Sequence, residues 1–590
     1  MPRQHSWRYF FSAAVFGLVG VLIFWRAFAL QTGAQAEAFI DQSKFYSRLY
    51  TTIYPPRGEI YDRNGNLLAG NRTVYEIGVN LASLRGEAPK AIALALGSLV
   101  GADYNRVLEL IVYGQENGLV YVVLADYILP EKVNLLRNYN AEREPSEGRA
   151  CSNDPALIAL ECRQHLARSY PEFDLASNVL GFVNQDNYGN FGVEQQYQDL
   201  LAGVPESIWV PTDPNQAEVL PNIPGGASLV LTLDREIQTM VEDVLDEHIL
   251  LSGAESATAI VMDPRNGEIL AMTSTPRLDL NNYQTYTELY DGDRPYNRAV
   301  GQVYEPGSIF KVITVAAAFD MGVSHPEQVY PDKGVFSHGG ITVRNWNGAA
   351  WGDQTILGCM QHSLNVCLAD LAVNKVGADK FYEYVEAFGF GRPTGVDMAN
   401  EQLGSLRTPA IAGWYPSDLV TNSFGQGLAV TPLQMVMSVS AFVNDGKMAI
   451  PHIVKAVVQD GSQYSLSPQY AGAPISAETA RTMTSMLADS LEYESSLAMV
   501  PGYRLAGKTG TAQIPTPNGT YDPNQTNTSF IGWGPVDDPR FIVFVWIERP
   551  ESSIWASEVA APAFADIVER LVVLMNIPPD NQRLAQGQGD

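Results

Sequence analysis

The chain has 590 residues, a length that corresponds to three or four domain-sized units of about 150 residues each. Apolar residues make up 46% of it and charged residues 17%, which supports packed cores and argues against global disorder. Acidic residues outnumber basic residues by 65 to 38, for a net charge of −27. This charge argues against a nucleic-acid partner and against peripheral adhesion to anionic lipid, because both need a basic surface.

The first apolar stretch predicts a transmembrane anchor. Tyr9–Leu30 contains one charged residue, Arg26, near its far end. A helix of this length measures about 33 Å, enough for a bilayer core of about 30 Å. Arg3 and Arg8 precede it, so the positive-inside rule predicts residues 1–8 in the cytoplasm and the chain after residue 30 outside. Ala27-Phe28-Ala29 also fits a signal-peptidase site, so a cleaved signal peptide is the alternative.

Residues 31–225 are predicted to form a β-rich domain that also contains helices. Arg63-Asn64-Gly65-Asn66 is a hairpin signal, and helices are expected over Pro89–Val100 and Arg106–Val112. The polar stretch 141–155 reads as a loop. Five prolines between Pro205 and Pro224 predict a hinge or linker before the next domain.

Residues 226–577 show clearer periodicity, and residues 578–590 are expected to form a flexible tail. Strands are predicted at Ser228–Leu233, Thr258–Met262, Glu268–Thr273, Gly507–Gln513, Ser529–Gly534 and Phe541–Ile547. Helices are predicted at Asp234–Leu251, Ser308–Met321 and Pro562–Met575, and one more begins at the N-cap Thr431. Strands near both ends of this region predict one sheet covered by helices.

The cysteines and histidines do not suggest a metal site. Cys151 lies near Cys162 and Cys359 near Cys367, so two local bridges are conceivable outside the cytosol, and reduced thiols fit equally well. In an ideal helix, residues eight apart lie about 12 Å from each other, so the second bridge requires a break in the helix. The seven histidines do not cluster, and we predict no metal and no cofactor.

The first chemical motif is Ser308-Ile309-Phe310-Lys311, directly after Pro306-Gly307. These two helix breakers place Ser308 at a helix N-terminus, with Lys311 one turn later on the same face. A serine hydroxyl needs an adjacent base, and a lysine acts as one only if burial or a nearby cation lowers its pKa. Taken alone, the motif is weak and fits a surface lysine on an ordinary helix better.

Two further motifs follow in the chain. Ser363-Leu364-Asn365 offers a hydroxyl and an amide on a turn between helical stretches. Lys508-Thr509-Gly510-Thr511 lies in a predicted strand, where Lys508 and a threonine could hold a carboxylate. Gly510 could let a ligand backbone approach the strand closely, and strand polar groups could pair with an extended peptide.

Together the three motifs, in this order, resemble those of the class B penicillin-binding proteins, the membrane-anchored monofunctional transpeptidases. The resemblance extends over nearly the whole chain, and the cell-division branch is the closer of the two class B branches. It also rests on Pro55-Pro56-Arg57-Gly58, Asp62-Arg63-Asn64-Gly65, Phe191-Gly192-Val193-Glu194, Met262-Asp263-Pro264, Ser423-Phe424-Gly425-Gln426-Gly427 and the ending Ala560-Ala561-Pro562-Ala563-Phe564.

This resemblance implies an α/β (α+β) fold, a serine transpeptidase or β-lactamase-like domain (226–577) with a central antiparallel sheet covered by helices. An elongated β-rich pedestal, the dimerisation domain (31–225), and one transmembrane helix (9–30) precede it. The implied substrate is a peptidoglycan stem peptide ending in D-Ala-D-Ala, and β-lactams would imitate it. The implied partners are a membrane-embedded glycan polymerase and other division proteins.

The resemblance also implies the roles of the motif residues. Ser308 attacks the substrate carbonyl and Lys311 takes its proton. Ser363 passes a proton toward the leaving D-Ala, and Asn365 orients Lys311 and the substrate amide. Lys508, with Thr509 or Thr511, holds the terminal carboxylate, and the backbone N–H groups of Ser308 and Thr511 form the oxyanion hole.

Several alternatives stay open at this point. The same motifs would serve a lateral-wall transpeptidase, a D,D-carboxypeptidase or a β-lactamase, although Leu364 replaces the acidic centre found in class A β-lactamases. A catalytically inactive cell-wall scaffold is the alternative of a different class. His362 beside Ser363 is a possible base, but we interpret it as a bystander because Lys311 already fills that role.

Overall fold

The computed structural model describes residues 6–32, 48–139, 151–152, 154–211, 223–290, 296–494, 496–515 and 521–586. The chain divides into two compact units. The first contains residues 1–56, 73–165 and 203–225, and the second contains residues 57–72, 166–202 and 226–590. The domain boundary predicted at residue 225 therefore does not fully separate the two units. Residues 57–72 and 166–202, which the sequence assigned to the pedestal, pack in the second unit.

The N-terminal helix runs from Ser6 to Thr32. Within it, Trp7–Leu30 has a mean hydropathy of 2.1 and no side chain buried against the rest of the protein. Its length and composition are sufficient to cross a membrane, as the sequence predicted for Tyr9–Leu30.

The first unit contains a two-stranded sheet of Arg48–Ile53 with Glu206–Pro211, a separate group of paired strands, and a helical layer. Its strands are Arg48–Ile53, Glu206–Pro211, Tyr121–Ile128, the second half of Leu67–Asn80 and the first half of Leu160–Ser169. Its helices are Ala88–Ala95, continued by a π turn over Leu96–Val100, then Tyr104–Glu116 and Pro130–Arg137, with a 3₁₀ turn at Leu81–Ser83. Both predicted helices are confirmed.

Two features of the first unit bear on the sequence predictions. One settles a question that the sequence left open, and the other corrects a prediction. Cys151 and Cys162 form a disulfide in its apolar core. The predicted linker is wrong at its start, because Glu206–Pro211 is a strand paired antiparallel with Arg48–Ile53. The linker residues 212–222 and most of the predicted loop 141–155 lie outside the described residues.

The second unit contains a five-stranded antiparallel sheet at its centre. The strand order is Ile269–Ser274, Ser256–Met262, Phe541–Glu548, Tyr521–Gly534 and Ala506–Pro515, so the last of these is an edge strand. All five predicted strands of this sheet are present. Both faces of this sheet are apolar, so each face must be covered by other elements.

Alternation along the strand Phe541–Glu548 shows how the two faces are divided. Val543 and Val545 enter one core, together with helices Arg235–Ser252 and Ala560–Leu574. Phe544 and Trp546 enter the other core, which contains helices such as Lys311–Asp320, Pro432–Val443 and Ala477–Glu494. A period of two residues therefore produces the layered architecture.

A second sheet of this unit contains Ile60–Tyr61, Ser228–Leu231, Val454–Gln459 and Ser462–Ser465. Smaller strands are Phe182–Val183, Gly189–Asn190, Val329–Asp332, Val335–His338, Ile341–Arg344, Gly352–Thr355, Met448–Ala449 and Tyr470–Gly472. The remaining helices are Ser177–Leu180, Gly192–Gln196, Gln198–Ala202, Tyr286–Leu289, Arg298–Gly301, Ile356–Gln361, Asn365–Asp370, Ala378–Ala387, Pro416–Asn422 and Asp580–Gln586. Short 3₁₀ or π turns lie at Leu280–Thr285, Gly307–Phe310, Leu371–Val376 and Ser496–Ala498.

A buried ion cluster joins residues 57–72 to residues 166–202 within the second unit. Glu194 is fully buried and accepts hydrogen bonds from Arg57 Nε at 2.7 Å and Arg168 Nε at 2.6 Å. The Tyr170 hydroxyl donates to the same carboxylate at 3.3 Å. The three buried charges compensate one another only when the two segments are in contact, so the cluster holds the segments against each other.

The predicted flexible tail is the remaining correction. Residues 580–586 form a helix, and Asp580 accepts a hydrogen bond from the Arg504 N–H at 2.7 Å. Arg583 also binds Asp580, at 2.7 Å. Polar residues near the end of the sequence suggested fraying. The hydrogen bond from Arg504, which is distant in the chain, instead holds the start of this helix in place.

Candidate active site

The turn that carries Ser308 is held by close backbone packing. Gly307–Phe310 is a 3₁₀ turn that leads into the helix Lys311–Asp320, so Ser308 lies at a helix N-terminus as predicted. The Gly307 N–H donates to the Gly425 carbonyl at 2.9 Å. A Cβ on Gly425, whose φ is +82°, would lie 2.1 Å from the Gly307 oxygen, so only glycine fits there.

Lys311 is fully buried one turn after the half-buried Ser308. Its Nζ donates to the Ser363 carbonyl at 2.6 Å and to the Ser363 hydroxyl at 3.1 Å. Burial lowers the pKa of Lys311 well below its usual value, and the charge of Lys508 lowers it further, while Glu494 opposes the shift. Both conditions for a lysine base are therefore present: an apolar setting and a neighbouring cation.

The turn that carries Ser363 interrupts a helical segment. Ser363 has a φ of +50° and lies between helices Ile356–Gln361 and Asn365–Asp370. Because the helix breaks here, the Cα atoms of Cys359 and Cys367 lie 6.2 Å apart and the two residues form a disulfide. The bridge closes the loop around Ser363, which restrains the backbone that accepts the Lys311 hydrogen bond.

Asn365 is on the same turn but faces a different partner. Its Nδ2 donates to the Arg344 carbonyl at 3.3 Å. Among the described contacts it has no hydrogen bond to Lys311, although the resemblance implied that it orients this lysine.

His362 packs among aromatic rings. Its imidazole stacks on Trp351 with ring centroids 4.1 Å apart and meets the edge of Tyr493 at 5.1 Å. Burial lowers its pKa. These contacts favour a packing role for His362, in agreement with its interpretation as a bystander.

Lys508, Thr509, Gly510 and Thr511 lie on the edge strand Ala506–Pro515. A Cβ on Gly510 would lie 2.4 Å from the Ser529 hydroxyl oxygen on the neighbouring strand, 2.9 Å from the Ile309 side chain and 3.0 Å from the Pro306 oxygen. The sequence suggested that a ligand backbone approaches Gly510. In the structure, the turn that carries Ser308 makes this close approach. This close approach brings the strand beside Ser308.

Sequence reasoning missed two carboxylates of the site. Glu494 accepts hydrogen bonds from Lys508 Nζ and from the Thr509 hydroxyl. Glu305 accepts from the Gly427 N–H at 3.0 Å and the Tyr521 hydroxyl at 3.0 Å, and burial raises its pKa. The position of Glu305, three residues before Ser308, could have drawn attention to it. No local pattern marks Glu494.

The second unit thus brings Ser308, Lys311, Ser363 and Lys508 together, while Thr511 engages the Ala556 N–H through its hydroxyl at 3.1 Å. Within the described residues, no group of three or more His, Cys, Asp or Glu side chains is arranged to hold a metal ion. The arrangement can activate a serine through a buried lysine and a relay hydroxyl.

Comparison with known families identifies the chain. Residues 257–569 match the penicillin binding protein transpeptidase domain, and residues 52–221 match the penicillin-binding protein dimerisation domain. This chain belongs to the class B penicillin-binding proteins. It is a serine-type D-Ala-D-Ala transpeptidase, and the family and fold predicted from the sequence are confirmed.

Individual relatives agree with this assignment. Stage V sporulation protein D of Bacillus subtilis is 32% identical over 90% of this penicillin-binding protein and 80% of its own length. The peptidoglycan D,D-transpeptidase FtsI of Buchnera aphidicola is 27% identical over 89% of this chain and 88% of its own. Relatives named FtsI and PbpB support the cell-division branch that the sequence favoured.

A solved structure shows the same fold. The crystal structure of penicillin binding protein 3 from Mycobacterium tuberculosis in complex with aztreonam superimposes with a TM-score of 0.67 and 27% identity. The match covers 90% of this penicillin-binding protein and 98% of that chain.

We expect Gly510→Ala to lower the rate of acylation by benzylpenicillin about 10- to 100-fold. The added methyl group would meet the Ser529 hydroxyl as well as Ile309 and the Pro306 oxygen. It would therefore displace the strand relative to the turn that carries Ser308. Stopped-flow measurement of acylation checks this. Gln513→Ala, an exposed position on the same strand, is the control and should react like the parent. Equal rates for parent and Gly510→Ala would contradict the packing argument.

Proposed function

We propose that this penicillin-binding protein cross-links peptidoglycan stem peptides through an acyl-enzyme on Ser308, in wall synthesis at the division septum. The observation that carries the proposal is the fully buried Lys311, one turn after Ser308 and hydrogen-bonded to the Ser363 hydroxyl at 3.1 Å. A buried lysine with a lowered pKa beside a helix N-terminal serine is suited to general-base activation of that serine.

In the first half-reaction the Ser308 hydroxyl attacks the carbonyl carbon of the penultimate D-Ala, and neutral Lys311 accepts its proton. The negative charge that forms on the carbonyl oxygen is held by the N–H groups of Ser308 and Thr511. The C–N bond to the terminal D-Ala then breaks. The Ser363 hydroxyl relays the proton from Lys311 to the leaving nitrogen, which departs as D-alanine.

In the second half-reaction an amine of a neighbouring stem peptide attacks the acyl carbonyl. Lys311 and Ser363 take up the proton that this amine loses, and the Ser308 oxygen leaves as a hydroxyl. The edge strand Ala506–Pro515 supports this proposal, because its outer side can pair with an extended peptide donor. Lys508 with Thr509 or Thr511 would hold the terminal carboxylate, and Asn365 the substrate amide.

We further propose that the apolar stretch Tyr9–Leu30 anchors the protein, with residues 1–8 in the cytoplasm and the catalytic unit outside. Its length and composition support an anchor, and Arg3 and Arg8 support the orientation. A membrane-embedded glycan polymerase and other division proteins are the proposed partners, because a cross-linking enzyme needs newly made glycan strands beside it.

The test is intact-mass analysis of the full chain in detergent after incubation with benzylpenicillin, followed by peptide mapping. We expect one stable penicilloyl adduct per chain on the peptide that contains Ser308, and none in folded Ser308→Ala. Rapid hydrolysis of penicillin without a trapped adduct would contradict the transpeptidase and indicate a hydrolase. A folded protein with neither adduct nor hydrolysis would indicate a non-catalytic scaffold.

A further inference from the structure

The carboxylate of Glu494 lies in an unusual position. Glu494 ends the helix Ala477–Glu494, and its side chain is 10% exposed. One of its oxygens accepts from Lys508 Nζ and from the Thr509 hydroxyl, while the other is buried and has no hydrogen-bond partner among the residues that the structure describes. Lys508 itself is fully buried. The two groups expected to hold the substrate carboxylate are therefore already engaged by a carboxylate of the protein.

Two features make this contact replaceable. A negative charge on the last residue of a helix faces the negative end of the helix dipole, so the helix itself does not favour it there. A buried carboxylate oxygen without a donor loses the hydrogen bonds that water would supply. Lys508 and Thr509 are thus the main attraction that holds Glu494 in place, and a ligand carboxylate able to satisfy both of its oxygens would compete with it.

We propose that Glu494 occupies the Lys508–Thr509 pair in the resting enzyme as an internal stand-in for the substrate carboxylate, and that the stem peptide must displace it to bind. This inference rests on the proposed function. Two carboxylates cannot share one buried ammonium at hydrogen-bond distance without strong repulsion, so the incoming carboxylate and Glu494 exclude each other. The contact is an autoinhibitory device that selects ligands by their C-terminal charge.

The neighbouring residue connects this displacement to the rest of the site. Tyr493 is 63% exposed, and its ring meets the His362 ring at 5.1 Å. His362 directly precedes Ser363, which accepts the Lys311 hydrogen bonds. If the helix end moves when Glu494 releases Lys508, the Tyr493–His362 contact would change with it. Such a movement would couple occupancy of the carboxylate site to the turn that carries the relay hydroxyl.

The experiment uses full-length Ser308→Ala protein in detergent, which binds without reacting. The probes are diacetyl-L-Lys-D-Ala-D-Ala and the same peptide with a C-terminal amide, measured by calorimetry. We expect Glu494→Gln to bind the acid at least tenfold more tightly than the Glu494 parent and the amide equally well. Glu492→Gln is the matched control. Glu492 lies in the same helical turn as Glu494, and its half-exposed carboxylate pairs with Arg504. Glu492→Gln should leave both affinities unchanged.

Other outcomes overturn the inference. Equal or weaker binding of the acid by Glu494→Gln means that Glu494 is no competitor. If neither protein binds the acid, the inference also fails. The proposed function then survives only if penicillin acylates Ser308 in the unmodified protein. Should Glu494→Gln unfold, Glu494→Asp keeps the charge but is one methylene shorter, and it should still bind the acid more tightly than the parent.

Discussion

Lys311→Met is expected to slow acylation of Ser308 by benzylpenicillin about 10³-fold while leaving the protein folded. The substitution removes the base beside Ser308 and both hydrogen bonds to Ser363. Methionine has a similar volume, and it replaces a fully buried ammonium among apolar neighbours, so the fold should tolerate it. Stopped-flow acylation and thermal unfolding of the full chain measure both effects.

The matched control is Lys380→Met, the same chemical change at an exposed lysine that pairs with Glu383. It should acylate at the parent rate. A Lys311→Met protein that acylates within tenfold of the parent would show that Lys311 is not the base. The alternative would then be another proton acceptor, such as His362, which a His362→Phe variant would reveal.

The pH profile of acylation provides an independent check on Lys311. Only neutral Lys311 can accept the Ser308 proton, and burial together with Lys508 lowers the pKa of Lys311 well below its usual value. Acylation should therefore fall as the pH drops through this lowered pKa, because Lys311 becomes protonated. The residual rate of Lys311→Met should lack this step.

Glu194→Gln is expected to cost about 3 kcal/mol or more of the free energy of unfolding. Glu194 is fully buried between Arg57 and Arg168, each of which has only 3% of its side chain exposed. Removing the charge leaves two buried guanidinium groups without their counter-ion, and the amide offers a weaker acceptor. We expect the midpoint of thermal unfolding of the second unit to fall by at least about 5 °C.

Glu383→Gln serves as the control for Glu194, because its carboxylate is 64% exposed and pairs with Lys380 at the surface. This substitution should leave the unfolding midpoint within experimental error. A Glu194→Gln protein as stable as the parent would indicate that the cluster tolerates a neutral centre. Its role in holding residues 57–72 against residues 166–202 would then be withdrawn.

Much of the fold and the motif residues could be predicted from the sequence because their signals are local. Apolar residues on both faces of Phe541–Ile547 predict a buried strand, and the alternation assigns its residues to two cores. Thr431 and Gln434 form the capping box that the spacing indicated. Ser308 and Lys311 share a helix face because three residues make about one turn.

The remaining features depend on contacts between residues that are distant in the chain or on backbone details without a local signature. Glu494 reaches Lys508 only because a helix end packs against an edge strand, and Gly510 is required by the protein's own Pro306 oxygen. The bridge between Cys359 and Cys367 depends on the left-handed backbone of Ser363, which breaks the helix. Hydrophobic periodicity and residue propensity predict which face of a single helix or strand is apolar. Which surfaces meet, and which charges become buried partners, is decided only when the whole chain packs.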